Sequence, residues 1–154
     1  MFEYINKQVY IMATSLTFTS AGFMQGSTYS IATSANTKYD ILSTDATYTR
    51  RIYGLSVTST DAGAQTLKFH LNDGTTPYQV FTLNVPLSSG NIITAAPVDA
   101  FGSIYSAPVF QKQRDANGVP YFNLPAGWKI QMEYNTALLA AEGLFVLVFG
   151  ETYA

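Results

Sequence analysis

From Thr14 onward, apolar and polar residues alternate at every second position in run after run, and most runs stop at a cluster of Gly, Asp, Asn, Ser or Pro. A period of two belongs to strands with one buried face. LTFT at 16–19 alternates, as does KYDIL at 38–42. RRIYGLSVTST sets Tyr53, Leu55 and Val57 against Gly54, Ser56 and Thr58. TLKFHLN sends Leu67, Phe69 and Leu71 inward and Lys68, His70 and Asn72 outward, and YQVFTLNVP sends Phe81, Leu83 and Val85 inward. VPYFNL is a short strand, and WKIQMEY sets Trp128, Ile130, Met132 and Tyr134 against Lys129, Gln131 and Glu133. DAGA at 61–64, NDGTTP, DANG at 115–118 and PAG at 125–127 supply turn chemistry between them. Residues 87–111 lack a period and leave room for one helical turn near Val98 to Ile104.

Seven or eight short strands with almost no helix must close by burying two apolar sheet faces on each other. The expected fold is all-β: a single-domain β-sandwich, jelly-roll-like, with about eight short antiparallel strands. Trp128 shares the register of Ile130 and Met132, which predicts a core ring whose truncation costs about 3–5 kcal/mol. The run LFVLVF at 144–149 is apolar on both faces. Such a strand is either central in a sandwich or half covered by another subunit.

At 154 residues the chain has the length of one domain. Charged residues make up only 12% of it, against the usual ~25%, and eighteen Thr and twelve Ser take their place. A surface poor in charge is weakly protected against association, which points to a protein packed against copies or partners. Phosphate binding needs a basic patch; the net charge is −2 and the only adjacent basic pair is Arg50-Arg51, so nucleic acid is not an expected partner. Zero cysteines exclude disulfides, thiolate metal sites and cysteine nucleophiles. No stretch approaches the ~20 apolar residues of a membrane helix, and the N-terminal residues lack the apolar run of a signal peptide. Synthesis in a cytoplasm without export by that route is the expectation.

Catalytic constellations fare poorly. His70 is the single histidine and stands in the outward register of its strand, as a surface residue; no G-x-S-x-G presents a serine to it. DANG echoes the start of a calcium loop, but VPYFNLP follows it without the further oxygen ligands. A turn begun by Asp115, with Asn117-Gly118 at positive φ, accounts for it. Asp40 and Asp45 are an odd number of residues apart and would point to opposite faces. No phosphate loop occurs. The chain is expected to be no enzyme, with no cofactor and no metal.

Residues 1–12, MFEYINKQVYIM, stand apart from the domain at 13–154. They carry Phe2, Tyr4, Ile5, Val9, Tyr10 and Ile11 without a turn signal. Either they form an extended N-terminal arm, or residues 1–11 reflect an upstream start, since MATSLTFTS from Met12 itself looks like a beginning.

The order of elements from about 48 to 153 carries a resemblance: TRRIYGLSVTSTDAGAQTLKFHLNDGTTPYQVFTLNVP, then PVDAF, DANGVPYFNLPAGWKIQMEY and LFVLVFGETY. It resembles the small β-sandwich or jelly-roll decoration (cement) proteins of tailed-bacteriophage virions. That resemblance implies a structural protein made in the bacterial host cytoplasm, placed on the outer surface of the capsid and bound to the major capsid protein shell, which it stabilises. It also implies self-association, a trimer before a dimer. Phe2, Tyr4, Tyr10, Ile11, Arg50 and Arg51 are the expected partner-binding residues. A tail, neck or fibre component and a carbohydrate-binding β-sandwich module for surface attachment are the alternatives.

Overall fold

The alternating runs become strands. The computed structural model describes residues 21–30, 33–43, 45–102, 113–139 and 142–153. In these, the strands are β1 (Ala21–Tyr29), β2 (Tyr39–Leu42), β3 (Thr49–Ser59), β4 (Gln65–Asn72), β5 (Pro77–Val85), β6 (Val98–Asp99), β7 (Gln113–Arg114), β8 (Pro120–Leu124), β9 (Lys129–Tyr134) and β10 (Leu144–Tyr153). One helical turn, residues 100–102, follows β6. The expected strand at 16–19 lies outside the described residues, as does the arm at 1–12.

Two antiparallel sheets form. One runs β1-β10-β3-β8-β7, with β6 also paired to β3; the other runs β2-β9-β4-β5. Set aside the two-residue β6 and β7, and the first strand pairs the last, the second the next to last, and so inward to the β4–β5 hairpin. An antiparallel ribbon paired in that way and rolled into two sheets is a jelly roll.

The turns follow local rules. Gly118 and Gly127 both sit at φ 81, where a side chain would clash with the following carbonyl. In DANG the Asp115 carboxylate accepts the N–H groups of Asn117 and Val119 at 2.9 and 2.8 Å. Asn117 was expected to share the positive-φ role; only Gly118 takes it, because a single left-handed residue after a tight turn suffices to rejoin β7 to β8. In PAG the Trp128 N–H closes the turn on the Pro125 carbonyl at 3.1 Å.

Between the sheets lie Ile52, Leu55, Val57, Phe122, Leu124, Val146 and Val148 from one side, and Ile41, Leu67, Phe69, Val85, Ile130, Met132 and Tyr134 from the other. Two expectations change here. Tyr53 is half-buried and Ile52 takes the core position, because the β3–β10 register shifts: Phe149 pairs with Gly54 but Gly150 pairs with Ile52. That bulge inserts one residue and reverses the facing of everything before it. Trp128 is only partly buried, packed on the core's margin one residue before β9 begins. Its truncation therefore costs less than a full core ring would.

Candidate interaction surface

From Phe145 to Phe149 the outward residues of β10 are apolar, and no other described residue covers them. Phe145, Leu147 and Phe149 are 40%, 36% and 43% exposed, and Met24, directly across from Phe149 on β1, is 73% exposed. Gly26 and Thr28 continue the row on β1 opposite Leu147 and Phe145. On the other side Thr58, Ser56 and Gly54 of β3 face the same three β10 residues. No charged side chain falls within these nine positions. Apolar side chains at every second position of a central strand are ordinarily covered by a second layer.

Two shallow grooves flank the β10 row. One, of about 340 Å³, lies between Phe149, β3 and β6 and is lined by Pro97, Val98 and Phe101 among others. The second, of about 330 Å³, runs between β1 and β3 over Leu147 and Phe145. Gly54 shapes the first: a Cβ placed there would meet the Phe149 ring at 1.8 Å. Without that Cβ the ring lies flat on the sheet. Gly54→Ala is expected to leave the fold intact, since the ring can swing out, while raising binding of a hydrophobic dye to this face. Unchanged dye binding would show that the ring is not seated on Gly54.

Arg51 marks the polar end of this face. Its guanidinium stacks on Tyr121 with 4.6 Å to the ring centroid, near Tyr53, whose hydroxyl donates to Glu151 at 3.3 Å. Arg50 is adjacent in a strand and so points to the opposite side. It stacks on Phe23 at 5.6 Å, donates to the Ser43 carbonyl and pairs with Asp45 at 3.5 Å. The structure thus brings Arg51 to the rim of the apolar face and engages Arg50 within the chain. Phe2, Tyr4, Tyr10 and Ile11 lie outside the described residues. The two-sided character of 144–149 was legible in sequence; the parts played by Met24 and Gly54 were not, since each depends on which strand lies alongside.

The outer face of the four-stranded sheet is the chemical opposite. Glu133 takes a hydrogen bond from Lys68 at 2.6 Å and lies 3.5 Å from Lys38. Asp40 accepts from Lys129 and Gln131 at 2.9 and 2.7 Å, and Asn72 donates to Gln131 at 3.0 Å. His70 corrects an expectation: it keeps the outward register but is only 5% exposed. It stands across the strand pair from Gln131 and 3.6 Å from Glu133. Neither ring nitrogen has a hydrogen-bond partner.

That burial holds the His70 imidazole below its ordinary pKa of 6.5, with Glu133 opposing and Lys38 and Lys68 reinforcing the shift. The Lys68 hydrogen bond holds Glu133 below its ordinary 4.5. As pH falls below 6.5 the unfolded chain takes up a proton at His70 that the folded chain resists, so stability falls with pH. The Glu133 contribution is present above 4.5 and is lost as pH falls through its lower folded value. Thermal melts between about pH 7.5 and 5.5 should therefore show a declining midpoint, and His70→Gln should flatten that decline while leaving the acid limb below it. An unflattened slope in His70→Gln would assign the decline to other groups.

Among the described residues no group of three or more His, Cys, Asp or Glu is placed to hold a metal ion. No helix among them is long and apolar enough to cross a membrane. No protein-family model matches the chain, and no curated protein matches it.

Proposed function

We propose that this chain is a non-enzymatic structural virion protein of a tailed bacteriophage: a capsid decoration protein that binds the major capsid protein shell from outside and stabilises it. The observation that carries this reading is the uncharged outer patch around Met24, Phe145, Leu147 and Phe149 on a jelly roll whose other outer face is laced with ion pairs. A molecule with one face built for burial and one for water is suited to a permanent place in an assembly. The element order that resembles decoration proteins supports the same reading. Because jelly rolls serve capsid and lectin roles alike, the fold by itself does not choose between them.

Quantifying the chain in purified particles tests the proposal. Hundreds of copies per particle are expected. A few dozen would move the chain to a tail, neck or fibre, and its absence would overturn the virion reading and favour a carbohydrate-binding module. In solution a trimer is expected by light scattering. A stable monomer at high micromolar concentration would count against self-association, whereas a dimer would keep the interface and remove the threefold.

A further inference from the structure

We infer that the apolar outer face of β1, β10 and β3 is covered by the N-terminal segment of a second copy of this chain, exchanged head to tail. The inference deepens the proposed function and rests on its claim of self-association.

The face needs an occupant, and its size limits the choice. It spans three strands at about 4.8 Å and about seven residues at about 3.4 Å each, roughly 14 Å by 24 Å. Stacking two such faces would remove on the order of 700 Å² in total, below the ~1,200 Å² at which stable interfaces begin. A flat face-to-face dimer is therefore too small to hold by this contact. An inserted segment can add contacts along its whole length, filling the groove over Phe145 and Leu147 and the one beside Phe149.

The chain supplies such a segment. Twenty residues precede β1, and the first eleven hold Phe2, Tyr4, Ile5, Val9, Tyr10 and Ile11 with only Glu3 and Lys7 charged. Ten extended residues reach about 33 Å, longer than the apolar row. An uncharged face suits a segment this poor in charge, since no ionic group would be buried without a partner.

Direction decides between folding back and reaching out. Ala21, the first residue of β1, pairs with Thr152 at the polar end of β10, beyond the Met24–Phe149 pair. To cover its own apolar row, the preceding chain would have to reverse at once. Between Lys7 and Ala21 there is no Gly, Pro, Asn or Asp, and only Ser15 and Ser20, the weaker turn formers, could begin that reversal. A segment that continued along the line of β1 would leave the subunit. An arm that leaves one copy and lies on the next is a heterologous contact, and such contacts form a ring where the rotation between copies closes, as a trimer requires.

The absence of cysteine makes the test clean. A tagged chain carrying Tyr4→Cys or Tyr10→Cys is mixed with an untagged chain carrying Leu147→Cys, and the mixture is oxidised. Disulfide-linked pairs of one tagged and one untagged chain are the expected product. Deletion of residues 2–11 should leave the strand spectrum unchanged, weaken self-association about tenfold or more and raise dye binding at the face. Leu147→Cys pairing with itself, disulfides formed only inside a chain bearing both substitutions, or no arm-to-face product would each overturn the inference. These outcomes are independent of particle copy number, which bears on the virion reading alone.

Discussion

Replacing Phe69 by alanine is expected to cost about 3–5 kcal/mol, the loss of a fully buried ring together with the cavity it leaves. Phe69 has no exposed surface and stacks on Phe81 with centroids 4.5 Å apart and planes within 5°. It pairs with Met132 on one side and Phe81 on the other, so it joins three of the four strands whose inner faces form this side of the core. The Phe81 ring on one neighbouring strand and Met132 on the other limit how far the site can collapse. Against a total of about 5–15 kcal/mol for a domain, the substitution brings the protein near its folding limit. Denaturant midpoints measure it. Phe81→Ala, half-buried at the sheet edge, should cost clearly less, and equal costs would contradict the placement of Phe69 in the shared core.

The second large effect is steric. A Cβ on Gly150 would stand 2.1 Å from the Arg51 carbonyl oxygen and 3.0 Å from the Phe23 ring. The ring can move; the carbonyl belongs to the β3 backbone and cannot do so without disturbing the pairing beside the bulge. β10 lies between β1 and β3, so its displacement loosens both contacts of the sheet's central strand. Gly150→Ala should cost about 3 kcal/mol or more, at the upper end for overpacking. Gly26→Ala is the matched control: nothing lies within 4 Å of its would-be Cβ, and relief of glycine's entropy should make it neutral or stabilising by roughly 0.5–1 kcal/mol. Equal melting midpoints for the two variants would show that the close approach at Gly150 is absent.

The candidate surface was partly legible before the fold. LFVLVF announces that both sides of its strand are apolar, because six consecutive apolar residues leave no polar face in a period of two. That run did not reveal which side would be buried, nor that Met24, five residues beyond LTFT in a stretch without alternation, would lie directly across from Phe149. Pairing between distant strands has no local mark.

Alternation and turn chemistry are local, so the chain by itself determined where most strands run and where they turn. Leu67 and Phe69, Leu83 and Val85, and Ile130, Met132 and Tyr134 entered the core as their spacing requires, and Gly118 and Gly127 took the left-handed positions that only glycine adopts without strain. Tertiary structure decided the rest. One bulge exchanged Tyr53 for Ile52, the end of a turn left Trp128 at the margin, and His70 came to be buried in a register that points outward. The common reason is that alternation specifies which residues share a face, whereas burial depends on what lies against that face. For Phe145, Leu147 and Phe149 nothing in the described chain lies there, so a strand with a core-like sequence keeps one apolar face exposed.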